Sequence, residues 1–139
     1  MGSVRIVEAG SIDWQPVHEA VAPEVAEKMS QAERDGDVRI IHPGIGGGLQ
    51  LFEARIDPDL EVSLHAHAKD EIIYILEGEL LIGRKRLGRG ASVFVGGNTL
   101  YGFRAGPEGV RFLNFRGESN TTFITKEQFI ENRPRKARE

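Results

Sequence analysis

From Leu49 onward, apolar and polar residues alternate with a period of two. In Leu49–Ile56, Gln50, Phe52, Ala54 and Ile56 share one side, and Leu51, Glu53 and Arg55 share the other. Successive side chains on a strand point to opposite faces, so the charged set is expected outward and the Gln50 set inward. Similar runs predict strands at 38–41, 61–67, 71–76, 79–82, 91–95, 100–104 and 110–116. Turns are predicted at Asp57-Pro58-Asp59, Glu77-Gly78, 83–90, Gly96-Gly97-Asn98 and 105–109. Short strands at this spacing indicate an all-β sandwich or barrel.

The flanks read differently. Val4-Arg5-Ile6-Val7 predicts an edge strand, with Trp14 packing onto the barrel after it. Ala22-Pro23 suits a helix start, and Val25, Met29 and Ala32 share a helical face, so a helix is predicted over about 23–34. Asp35-Gly36-Asp37 ends it, and 42–48 forms a glycine-rich rim loop lacking the Lys-Ser/Thr of a phosphate cradle. Thr125 with Gln128 three residues later is a capping-box pattern, so a short helix is expected over about 126–132, with a frayed end at 133–139. Nothing resembles a linker or a repeat. A single domain spanning 1–139 is expected, with its barrel core at about 38–117.

Composition sharpens this picture. The 17 glycines are too many for a helical protein and fit tight turns between strands. With no cysteine, disulfides, thiolate ligands and thiol nucleophiles are excluded. A formal charge of −3 gives no reason to expect a nucleic-acid or membrane partner, and a cytoplasmic location is the expectation. Arg84, Lys85, Arg86 and Arg89 form a basic hairpin tip, read as a solvated face.

The chemistry concentrates in His65-Ala66-His67-Ala68-Lys69-Asp70-Glu71. Two residues apart on a strand, His65 and His67 face the same way, and Glu71 opens the next strand. Two imidazoles and a carboxylate suit a divalent metal with open positions. The same spacing also suits an exposed His-x-His strand, and the residues alone leave both readings open.

His65-x-His67-x-x-x-Glu71 followed by Gly78 resembles the first signature of the cupin superfamily, and Gly90–Phe103 resembles the second. With the flanking strands, the resemblance covers residues 38 to 117. It implies a cupin jelly-roll barrel (a double-stranded β-helix) with short helical segments at each end, and metal ligation by His65, His67 and Glu71. Three positions depart from the family pattern. Asp59 stands where the first signature has Gly, Gly96 where the second has Pro, and Tyr101 where the family's fourth ligand is His. Tyr101 is then a fourth ligand, a hydrogen-bond donor or catalytic acid/base beside an open metal position, or the mark of a weakened site.

Gln50, Phe52 and Phe103 are expected at the substrate pocket, although Gln50 also suits a plain hydrogen-bonded wall position. Phe94 and Phe112 are expected in the barrel wall, Tyr74 facing away, and His42 at the surface. The implied function is a metal-dependent enzyme acting on a small organic molecule. A non-haem Fe(II)-type dioxygenase is preferred, since the absent fourth His leaves room for dioxygen and substrate. Manganese, nickel or zinc would suit a lyase, isomerase or decarboxylase, and a non-catalytic binding or storage role is the alternative. A homodimer is expected, with Val4–Val7 and the Leu49/Leu51 side as contacts.

Overall fold

The computed structural model describes residues 2–45, 48–117 and 124–131. Among these, the strands are β1 (Gln15–Pro16), β2 (Asp37–Pro43), β3 (Gln50–Ile56), β4 (Glu61–Ala66), β5 (Glu71–Ile82), β6 (Lys85–Leu87), β7 (Ser92–Val95), β8 (Tyr101–Arg116) and β9 (Ile124–Thr125). Short helices α1 (Val17–Ala20), α2 (Pro23–Ala26) and α3 (Gln31–Asp35) precede β2, and α4 (Lys126–Glu131) follows β9. The strands pair antiparallel in the order β1-β2-β3-β8-β4-β9, with β5 joining β8 to β6 and β7. The long β8 is the spine: it pairs β3 and β4 and also carries β5.

Register explains the core. Across β3, β8 and β5, the inward rows are Gln50–Arg116–Glu71, Phe52–Asn114–Ile73 and Ala54–Phe112–Ile75. The period-two reading of β3 therefore holds, and polarity falls from one end of the barrel inward. Ile73, Ile75, Leu80, Ala105 and Phe112 are buried beneath the polar rows. Burial of this apolar surface is the main favourable term holding the sheet curled.

Several expectations are corrected. Val4–Val7 forms no strand, and Val4 and Ile6 are exposed, because the chain reaches the sheet edge only at Gln15. Trp14 does pack onto the barrel, against the guanidinium groups of Arg39 of β2 and Arg55 of β3, 4.4 and 4.3 Å from its ring centre. The single helix over 23–34 is two short helices, α2 and α3, with α1 before them. Pro23 starts α2, and Ser30 restarts the chain with a reciprocal capping box to Glu33. The turn predicted at 105–109 is a bulge inside β8: Ala105 pairs Leu80 and Val110 pairs Gly78, so four residues oppose Glu79 alone. Glu77-Gly78 likewise continues β5 rather than ending it. Glu53, expected outward with the charged set, is 4% exposed because Arg39 and Arg111 bond its two oxygens at 2.7 and 2.6 Å. Phe94 is 66% exposed and is not a wall residue; Val93 and Val95 take the inward positions of β7. The C-terminal capping box is present, with Thr125 and Gln128 exchanging two hydrogen bonds of 3.1 Å. Positions 132–139 lie outside the described residues, as do Gly46 and Gly47 of the rim loop.

Asp59, the first departure from the signature, has φ +60°. This left-handed conformation is the one a glycine adopts without strain, and Asp tolerates it better than most residues.

Candidate functional site

His65 lies in β4 directly opposite Tyr101 of β8, so their side chains share the inward face with ring centres 4.6 Å apart. His67, just past the end of β4, places its ring 4.8 Å from that of His65. The turn that carries it is pinned from the second signature. Asn98 N–H donates to the His67 carbonyl at 2.6 Å, and Gly97 N–H donates to the Asp70 carboxylate at 2.7 Å. A side chain at 97 would sit 2.4 Å from the Ala68 carbonyl oxygen, so glycine is required there. All four expected site residues, His65, His67, Glu71 and Tyr101, are buried at one end of the barrel.

The His65 Nδ1 lies 2.8 Å from the Ser63 carbonyl oxygen. A carbonyl only accepts, so Nδ1 carries the proton and Nε2 is the basic nitrogen. Burial lowers the pKa of His65 below its usual value, which keeps the ring neutral and able to donate a lone pair. Ser63 is itself held: its N–H and hydroxyl both donate to Glu33 Oε1 at 2.7 Å. Glu33, on α3, thus ties the helical segment to the strand that presents His65. Sequence reasoning missed this residue, although the Ser30-x-x-Glu33 pattern was available. Glu33→Ala is expected to lower stability by about 2 kcal/mol, since buried hydrogen bonds to a charged group are lost. Urea unfolding checks this, and a loss under about 0.5 kcal/mol would contradict the tether.

Glu71 is arranged differently from the expected ligand set. Tyr101 Oη donates to its Oε1 in a very short hydrogen bond. Asn114 Nδ2 and Arg116 Nε donate to Oε2 at 3.2 and 2.8 Å. Burial alone would raise the Glu71 pKa, but Arg116, Tyr101 and the nearby His67 outweigh it and hold the carboxylate charged. Tyr101 moves the other way. Burial, then the Glu71 charge, pushes its pKa well above the ordinary 10, so the phenol keeps its proton. Among the described residues, no three His, Cys, Asp or Glu side chains stand together as a metal-holding group. Glu71 is hydrogen-bonded by Tyr101, Asn114 and Arg116, and it lies near enough to His67 to feel its charge. The donor set still fits a divalent ion in kind, with two imidazoles, one of them oriented by a backbone carbonyl, beside a charged carboxylate.

A cavity of about 360 Å³ opens over this floor. His65, His67, Tyr101, Gln50, Asn114 and Arg116 line its polar end. Phe52, Phe103 and Phe112 form its walls, and Val17, Ala20, Val25 and Met29 of the helical segment and its connecting turn cover it. The helical face expected from Val25, Met29 and Ala32 thus faces the cavity. Gln50, Phe52 and Phe103 are all at the pocket, as anticipated. Tyr74 is 45% exposed and faces away from it. Asn114 and Arg116 were not anticipated, although they continue the inward parity of Val110 and Phe112.

No family model matches the chain, and no curated protein matches it. Solved structures do. An RmlC-like cupin from Shewanella frigidimarina NCIMB 400 superposes with a TM-score of 0.52 at 22% identity, over 68% of this chain and 80% of that one. A deletion mutant of Bacillus subtilis oxalate decarboxylase gives a TM-score of 0.57 at 19% identity, over 71% of this chain. The structure of that enzyme at pH 4.6 gives 0.57 at 18% identity. This chain spans 30% of the decarboxylase chain. At these identities the likeness speaks for architecture, and with the curled antiparallel sheet and both signatures in place the conclusion is direct: the chain has the cupin fold.

Proposed function

We propose that this chain is a metal-dependent cupin enzyme acting on a small, largely apolar organic molecule, with the divalent ion held by His65, His67 and Glu71. The observation that carries the reading is the pair of buried histidines at a cavity floor, one with its Nδ1 proton committed to the Ser63 carbonyl. Such orientation of an imidazole through its other nitrogen is typical of metal-ligating histidines. The bound ion would supply Lewis acidity or dioxygen activation at its open positions. Oxalate decarboxylase, similar in fold, has Mn(II) centres, and manganese is therefore tried beside iron, nickel and zinc.

The chain's own groups define the rest. Phe52 and Phe103 with the helical cover hold an apolar body and keep water from the floor. Tyr101 holds a proton at Oη, shared with Glu71 Oε1, and is the acid available to a substrate oxygen. Arg116 keeps Glu71 charged, so the phenol always has an acceptor behind it. Because Tyr101 stands where the family's fourth ligand is His, a bound ion would have room for dioxygen and substrate, and a dioxygenase of the non-haem Fe(II) type is the preferred chemistry, ahead of a lyase, isomerase or decarboxylase.

A second reading, a binding protein without metal, is favoured by one observation: Glu71 is already fully engaged by three donors, one of them cationic. Elemental analysis of protein purified without chelator separates the two readings.

For the homodimer, a second apolar surface joins the Val4–Val7 and Leu49/Leu51 candidates. Ile72, Tyr74, Phe94 and Phe115 are exposed together on the outer face, Ile72 pairing Phe94 on one side and Phe115 on the other. Val4, Ile6 and Leu49 are exposed as well. Light scattering is expected to give about twice the 15.4 kDa chain mass, and a 15.4 kDa particle would contradict it.

A further inference from the structure

The polar end of the cavity contains two acceptors to which no described residue donates. Gln50 Nε2 donates to the Pro43 carbonyl at 3.1 Å, and Asn114 Nδ2 donates to Glu71 Oε2 at 3.2 Å. Both partners are acceptors only, so neither amide can be turned round, and each oxygen end points elsewhere. Gln50 Oε1 and Asn114 Oδ1 are buried and have no hydrogen-bond donor among the described residues. The two residues are 6% and 3% exposed, sit on adjacent strands β3 and β8 one row apart, and both line the cavity. Buried acceptors are rarely left unpaired, and doing so twice at the wall of one cavity calls for a donor supplied from outside the chain.

We propose that the occupant of this cavity is an apolar molecule bearing a hydroxyl group, whose O–H donates to Gln50 Oε1 or Asn114 Oδ1. This rests on the reading of the cavity as a substrate site and names the class of molecule it takes. Val17, Val25, Met29 and Phe52 receive the apolar body. A carboxylate is disfavoured, because it would bring negative charge against two acceptor oxygens. The charge of Arg116, the cation at this end of the cavity, is already balanced by the Glu71 carboxylate. An ether or a bare hydrocarbon leaves both acceptors unpaired, which a site built to hydrogen-bond a hydroxyl discriminates against strongly.

The test is calorimetric titration of the full chain, as purified, with 4-butylphenol, 4-butylanisole and 4-butylbenzoate, with metal content measured on the same preparation. The phenol is expected to bind at least about tenfold tighter than either of the others. In Gln50→Met, which removes one acceptor at similar volume, that preference should shrink to about threefold or less. Equal affinities in the unmodified chain, or the benzoate bound first, overturn the inference. The ranking in the unmodified chain decides the matter by itself where Gln50→Met does not fold. Metal bound with all three probes alike overturns this inference and leaves the metal reading standing. No metal with the phenol ranked first does the reverse.

Discussion

Arg116→Met is expected to destabilise the fold by about 3–5 kcal/mol, the range for removing one partner of a buried ion pair. Glu71 is almost completely buried, and the Arg116 guanidinium donates to it at 2.8 Å. Methionine fills much of the volume over Phe52, so the loss reports charge more than packing. Adding Glu71→Gln in the same chain removes the stranded charge and should recover a large part of the loss. Urea unfolding of the two variants measures both numbers. A loss below about 1 kcal/mol for Arg116→Met would mean that Glu71 does not depend on this pair.

Gly78→Ala is expected to cost more than about 3 kcal/mol, through backbone strain and collision together. Gly78 has φ +78°, and a Cβ there would lie 2.1 Å from the Gly109 carbonyl oxygen and 3.0 Å from the Val110 Cα. Those atoms are backbone of β8, at its bulge against β5, and they cannot step aside without parting the ladder. Gly83 is the control. Its φ is +57° but its Cβ would meet nothing within 4 Å, so Gly83→Ala should cost only about 1–2 kcal/mol. Thermal unfolding of the pair gives the difference, and similar losses would show that conformation alone, not contact, requires the glycine at 78.

The inward and outward sets were legible wherever one parity was apolar and the other charged. Gln50, Phe52, Ala54 and Ile56 show this, as does the placement of His65 and His67 on one face. Parity fails where both sets are apolar. In Val93-Phe94-Val95 nothing in the sequence says which residue turns outward, and the register with the exposed Ile72 decides it. Glycine and proline marked residues 105–109 as a turn, but pairing on both sides kept the chain in one strand and made the segment a bulge.

At the site, the sequence reading found the residues whose types announce chemistry and missed those that serve them. Glu71 was recognisable as a buried carboxylate, but its partners come from Tyr101, Asn114 and Arg116, which are 30, 43 and 45 positions away. Such distances are set by the β5–β8 register, and no local pattern encodes it. Asn114 and Arg116 did carry a weak signal, as polar residues ending an apolar inward set. Glu33 reaches Ser63 from 30 positions away, and only the folding of α3 against β4 brings them together.

The most direct test of the metal reading is elemental analysis of the unmodified chain and of His65→Ala/His67→Ala, both purified without chelator. The account predicts close to one divalent ion per unmodified chain and close to none in the double variant, with both proteins folded by circular dichroism. An unmodified chain that stays metal-free after incubation with iron, manganese, nickel and zinc would contradict it, and the cavity would then stand as a binding site without metal.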